Sequence, residues 1–164
     1  MEKKRYQGAS NDKDRSKQKL IQAVGVVVKA KGYTGLTATN ISKAAGLDRK
    51  LVTLYFGSVD NLIEIYVKSK DYWVAASGEV NNLTEGNQDT KQVLEKLLLS
   101  QLDYFYGNEE MQKIVLWQIS QRSQIMFQVC EEREQLSSKF FALTDKELKG
   151  KDIDLRAIVG LLVS

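Results

Sequence analysis

An all-α fold is what the sequence predicts, with a three-helix N-terminal unit followed by a larger helical domain. Three observations carry this expectation. The 164 residues include no proline, a residue kept out of helix interiors but common in the loops of sandwiches and barrels. Apolar residues recur at spacings of three and four in one segment after another. Glycine and asparagine punctuate those segments, and most breaks are followed closely by a Ser, Thr or Asp able to cap the next helix.

Residues 1–11 carry Lys3, Lys4 and Arg5 beside Gly8, Ser10 and Asn11, show no periodicity, and read as a flexible basic arm. Asp12 or Asp14 caps the first helix, whose apolar stripe is Leu20, Ile21, Val24, Val27 and Val28. Gly32 stops it, and Lys29 and Lys31 suit the negative end of its dipole. Thr37 caps a short second helix with Ile41, Ala44 and Ala45 inward. Gly46 ends that helix, and Leu47 fills the space beneath the turn. Asp48 caps a third helix, Arg49 to Phe56, with Val52 and Phe56 inward. Gly57 stops it, and Ser58 caps a fourth helix that starts at Val59, faces inward with Leu62, Ile63, Tyr66 and Val67, and runs to about Val80. A short helix, a turn containing glycine and a second short helix have the spacing of a helix-turn-helix.

The polar stretch 81–89 reads as a loop. Asp89 or Thr90 then caps a fifth helix reaching Tyr106, with Val93, Leu94, Leu97, Leu98, Gln101 and Leu102 on its face. Gly107 and Asn108 break it ahead of a sixth helix, Glu109 to Ser120, and a long seventh from Ser123 to Asp145. Gly150 breaks again, and Asp152 opens a last helix whose stripe is Ile158, Leu161, Leu162 and Val163. That stripe stops at Ser164 without a stop signal, so an apolar helix is expected to lack its neighbour. The expected organisation is an arm over 1–11, a helix-turn-helix domain over 12–58, and a helical domain over 59–164 that is incomplete at its C-terminus.

Composition narrows the function classes. Residues 1–60 hold 12 Lys/Arg against 5 Asp/Glu, a net of +7, whereas the remainder nets −4. A basic first third suggests a polyanion-facing end, although a solvated basic tail has the same charge. With no histidine and one cysteine, Cys130, neither an internal disulfide nor a zinc site built from Cys and His is expected. No glycine-rich phosphate loop is present, and Glu131, Glu132 and Glu134 read as solvated charge. No catalytic role, cofactor or metal is therefore expected. The charged N-terminus is unlike a signal peptide, and no apolar run approaches the ~20 residues of a membrane span, so the expected compartment is the cytoplasm.

The stretch from Gly32 to Val67, GYTGLTATNISKAAGLDRKLVTLYFGSVDNLIEIYV, resembles the N-terminal domain of the TetR family of repressors. A Gly-aromatic pair closes the first helix, a Thr opens the second, Ile-x-x-x-Ala-Gly-Leu makes the turn, and the third helix ends in Tyr-Phe-Gly-Ser with a Leu four residues on. The resemblance covers about residues 12–70; the rest matches only in being helical. It implies a homodimer whose third helices enter the major groove of an operator. It also implies a C-terminal ligand-binding and dimerisation domain with a pocket for a small-molecule effector. Two positions depart from the family pattern: Thr53 stands where a Tyr is common and Val59 where a Lys is frequent. Both family residues usually touch the phosphate backbone, so Lys50 and the arm would have to supply that affinity. A helical dimeric interaction module that has lost specific DNA binding is the alternative these departures suggest.

With Val52 and Phe56 inward, the third helix offers Asp48, Arg49, Lys50, Leu51, Thr53, Leu54 and Tyr55 to DNA or its flanks. Arg49 is placed to read a guanine edge with a bidentate pair, and Lys50 to do the same or hold a phosphate. Leu51 and Leu54 suit thymine methyl groups, or equally the neighbouring helices. Tyr55 reads as a phosphate contact. Thr37, Thr39 and Asn40 stand where amides and hydroxyls hold a phosphate, and Ser58 lies beside the helix end, although capping alone explains Thr37. Arg15, Lys17 and Lys19 would add salt-dependent affinity as arm residues, or simply solubility. For the effector pocket the candidates are Tyr104, Trp117, Gln121, Met126, Phe127 and Cys130, at spacings that an ordinary core also produces.

Overall fold

The computed structural model describes residues 8–72 and 90–158. The helices are α1 (Gly8–Lys31), α2 (Ala38–Ala45), α3 (Lys50–Phe56), α4 (Val59–Lys70), α5 (Thr90–Gly107), α6 (Glu109–Ser120) and α7 (Gln124–Glu147), with a 3-10 turn at Tyr33–Gly35. No strand occurs among the described residues. The first seven residues, the ends expected near Val80 and Asp89, the 81–89 loop, and Leu161, Leu162 and Val163 lie outside them, as do the side chains of Val93 and Leu94.

Helices α2, α3 and α4 form as their caps dictate. Thr37 Oγ1 accepts from the Asn40 amide at 3.2 Å, and Ser58 Oγ accepts from the Asn61 amide at 3.0 Å. Asp48 Oδ1 accepts from the Lys50 amide at 2.7 Å, so Asp48 serves as the cap of α3 although the helix proper starts two residues on. Gly46 takes a left-handed conformation, φ 65° and ψ 34°, after α2. Its amide reaches Lys43 O at 3.2 Å while the Leu47 amide reaches Ser42 O at 3.0 Å, the paired closure of a Schellman turn that only glycine enters without strain. Leu47 packs beneath, as its position suggests.

Four expectations are corrected. The first helix starts at Gly8, so residues 8–11 belong to it, and neither Asp12 nor Asp14 caps it. Arg15, Lys17 and Lys19 consequently stand on α1 and not on an arm. Ala44 is exposed, and Ser42 takes the inward place, its hydroxyl donating to Thr39 O at 3.1 Å. The fourth helix does not run on unbroken to Val80: Asp71 is extended, φ −70° and ψ 125°, and closes α4 at Lys70. The cause is tertiary. Asp71 is 1% exposed, and its Oδ2 accepts from both Nε and Nη2 of Arg133 on α7 at 2.5 Å. On α5, Leu97 is buried, whereas Leu102 is exposed.

Packing does not respect the boundary expected at residue 58. The cluster around Leu20, Val24, Val28, Ile41, Val52, Leu62 and Val67 continues without a gap into Ile114 and Trp117 of α6 and Met126 and Val129 of α7. Helices α1 and α4 are shared: one side closes the helix-turn-helix, the other carries α6 and α7. Among the described residues, no helix is long and apolar enough to cross a membrane, and no cluster of potential ligands could hold a metal ion.

Candidate nucleic-acid interface

Helix α3 has a buried side and an exposed side. Val52 and Phe56 are buried against the core. On the opposite side Lys50, Thr53 and Leu54 share a stripe, at spacings of three and four, and all are exposed. Leu54 is 72% exposed, a large apolar side chain given to solvent on that stripe. Asp48 and Arg49 precede it, both exposed. Leu51 and Tyr55 lie at the flanks, half-buried and packed on the core, so packing accounts for them.

Two side chains named as candidate contacts are engaged inside the protein. Asn40 Nδ2 donates to Gly35 O at 2.8 Å, and its Oδ1 accepts from Lys31 Nζ at 3.1 Å. Asn40 thereby ties the 3-10 turn to the start of α2. Ser58 is engaged as a cap. Asn61, which the sequence reading passed over, repeats the device: its Nδ2 donates to Phe56 O at 2.8 Å and anchors the end of α3 on α4. The signal was present twice, as Thr37-x-x-Asn40 and Ser58-x-x-Asn61. In each, the hydroxyl caps the helix and the asparagine reaches back to a carbonyl five residues earlier. Thr37 and Thr39 stay exposed at the head of α2, and Arg15 is exposed on α1, where Lys17 is half-buried.

The six residues expected to line an effector pocket are not gathered into one. Trp117 is 7% exposed and Met126 3%, both within the shared core. The Trp117 ring stacks on Tyr33, with centroids 5.7 Å apart, and its Nε1–H has no acceptor among the described residues. Gln121 and Phe127 face solvent, Phe127 at 57%. Their positions on the helix are right for a neighbour of Trp117, but the end of α6 at Ser120 turns Gln121 outward. Cys130 is half-buried, its Sγ receiving the Gln118 amide at 3.3 Å. Tyr104 lies elsewhere, donating to Lys70 O at 2.9 Å and tilted against Tyr72; burial raises its pKa. A cleft of about 270 Å³ lined by Ile21, Gln22, Tyr66, Ser69, Lys70 and Glu110 includes none of the six.

Solved structures decide the fold. The chain superposes on the repressor NalD of Pseudomonas aeruginosa with a TM-score of 0.67 at 14% identity, over 93% of this chain and 82% of that one. This chain has the TetR-family fold. A TetR-family regulator from Mesorhizobium loti gives a TM-score of 0.59 at 21% identity, over 82% of this chain and 71% of that one. FadR of Bacillus halodurans, a regulator of fatty acid degradation, gives 0.66 at 16% identity, over 88% and 82%. These neighbours are described as regulators: a repressor, a regulator of fatty acid degradation and a TetR-family transcriptional regulator. Comparison of the sequence with family models and with curated proteins finds no match.

Proposed function

We propose that the chain is a sequence-specific DNA-binding transcriptional regulator with α3 as its reading helix. The observation that carries this is the solvent-facing stripe of Lys50, Thr53 and Leu54, preceded by Arg49, on a helix whose other side is locked into the core. An exposed leucine beside a lysine and a threonine has no packing partner among the described residues to explain it, and a groove edge with thymine methyl groups suits it. Arg49 and Lys50 supply the guanine and phosphate contacts, with Arg15, Lys17, Thr37 and Thr39 at the margins. Asp48, Asn40 and Ser58 act indirectly, by holding the helices at fixed angles. The assignment of 12–58 to DNA reading and of 59–164 to regulation belongs to this proposal.

In this reading the chain acts as a dimer with two half-sites about 34–36 Å apart, and a small effector relieves repression, as the resemblance of residues 12–70 to the TetR family implies; a repressor role agrees with the fold shared with the repressor NalD. Relief requires that the effector bind better to the conformation whose reading helices are wrongly spaced. The test is gel retardation of a duplex library at two salt concentrations. Enrichment of a near-palindrome supports the regulator. Weak, equal retention of every duplex refutes it in favour of a helical interaction module, a reading consistent with Thr53 and with the half-buried Val59.

A further inference from the structure

Glu110, in the first turn of α6, is held by side chains from two other helices. Its Oε1 lies 3.0 Å from Lys29 Nζ in the last turn of α1. Its Oε2 lies 3.0 Å from Lys70 Nζ at the end of α4 and accepts a short hydrogen bond from the Tyr66 hydroxyl. Only 17% of the Glu110 side chain is exposed. One carboxylate thus fastens both scaffold helices of the DNA-reading unit to the second helical layer. The carboxylate is largely enclosed while Lys29 and Lys70 keep 44% and 35% exposure, so these charged hydrogen bonds stand between a buried pair and a surface ion pair in strength.

The backbone is shaped to admit this contact. A Cβ placed on Gly25 of α1 would stand 2.5 Å from the Tyr66 hydroxyl oxygen and 3.1 Å from the Glu110 carboxyl group. Glycine weakens a helix interior relative to alanine, and Gly25 lies well inside a long one, so the close approach gives its presence a reason. Burial tends to keep the Glu110 carboxyl neutral, but the bonds from Tyr66, Lys70 and Lys29 outweigh it.

We propose that Glu110 is a positioning residue, fixing the angle of the helix-turn-helix unit on the second layer and thereby its affinity for an operator. The second half rests on the regulator reading above.

Spin labels on Lys43→Cys and Glu131→Cys, both exposed, in a Cys130→Ser background with unlabelled chain in excess, measure the angle directly. The unmodified pair should give one narrow distance distribution. Glu110→Gln and Gly25→Ala should each broaden or split it, with helical content unchanged. Glu110→Asp, which keeps the charge, should restore most of the narrow peak. In parallel, Glu110→Gln should weaken binding to a selected operator about tenfold through a smaller competent fraction, and leave the salt slope unchanged. A narrow distribution in both variants overturns the proposal, and so does unchanged operator affinity beside a broadened one. If the unmodified chain selects no duplex, the regulator reading falls, and the proposal with it as far as the operator is concerned; the distance data then decide the clamp alone.

Discussion

Trp117 lies flat on Tyr33, the two rings 1° from parallel with centroids 5.7 Å apart. Tyr33 opens the turn after α1, and Trp117 belongs to α6, so the contact joins the helix-turn-helix to the second layer. Offset stacking of this sort adds about 0.5–1.5 kcal/mol beyond burial. Trp117→Ala should destabilise the protein by about 3–5 kcal/mol, read as a lower urea midpoint. Tyr33→Leu should cost less, and the double variant less than the sum of the two. Strict additivity would show that the rings do not act on each other.

Arg133 is the partner of a carboxylate that is almost wholly enclosed. Its Nη1 also donates to Gln118 Oε1 at 2.9 Å, so it spans α6, α7 and the break after α4. Removing one member of a buried pair strands the other. Arg133→Ala should cost about 3–5 kcal/mol because the carboxylate it abandons is 1% exposed, whereas Asp71→Asn leaves the surviving charge on Arg133, 21% exposed and able to reach water, and should cost less. Equal losses in thermal unfolding would argue that packing and not charge matters there.

Acid should weaken the protein through Glu110. Its carboxyl titrates near 2 in the fold against 4.5 when free, because three donors outweigh its burial. The folded value lies below the unfolded one, so the unfolded chain takes up the proton first. The stabilisation is complete above 4.5 and disappears as pH falls towards 2. Urea midpoints should fall across that window in the wild type, and Glu110→Gln should flatten the part due to this residue.

On DNA, Arg49→Ala should cost about 1–3 kcal/mol of specific binding and relax preference at one base pair. Lys50→Ala should weaken all duplexes alike and lower the salt slope by about 1 if it grips a phosphate. Leu54→Ser should reduce selectivity without unfolding the chain, since that side chain contributes nothing to the core. Binding profiles of the three variants against one duplex library separate these roles; identical profiles would remove α3 from the reading role.

The helix-turn-helix was legible because it is written in local signals. Thr37, Gly46, Asp48, Gly57 and Ser58 act on backbone groups within a few residues, and Val52, Phe56, Leu62 and Tyr66 follow a helical period. What sequence could not show was long-range. The break at Asp71 depends on Arg133, 62 residues away, and the Glu110 contacts depend on Gly25, Lys29 and Lys70. Apolar spacing on α6 and α7 placed Trp117 and Met126 beside one another but could not tell a cavity lining from a filled core. Asn40 is the converse case: its type suits a phosphate, and the local carbonyl of Gly35 engages its side-chain amide, a bond that residue type alone does not reveal.

The uninterrupted core has a practical corollary for anyone building chimeric sensors. A reading head cut out near residue 70 would carry away a raw apolar flank, where Val28 and Tyr33 belong to the cluster that includes Ile114 and Trp117. Any substitute carrier must present its own flat aromatic opposite Tyr33 and its own acid between Lys29 and Lys70. Changes grafted onto the outer faces of α6 and α7 can leave that seam intact.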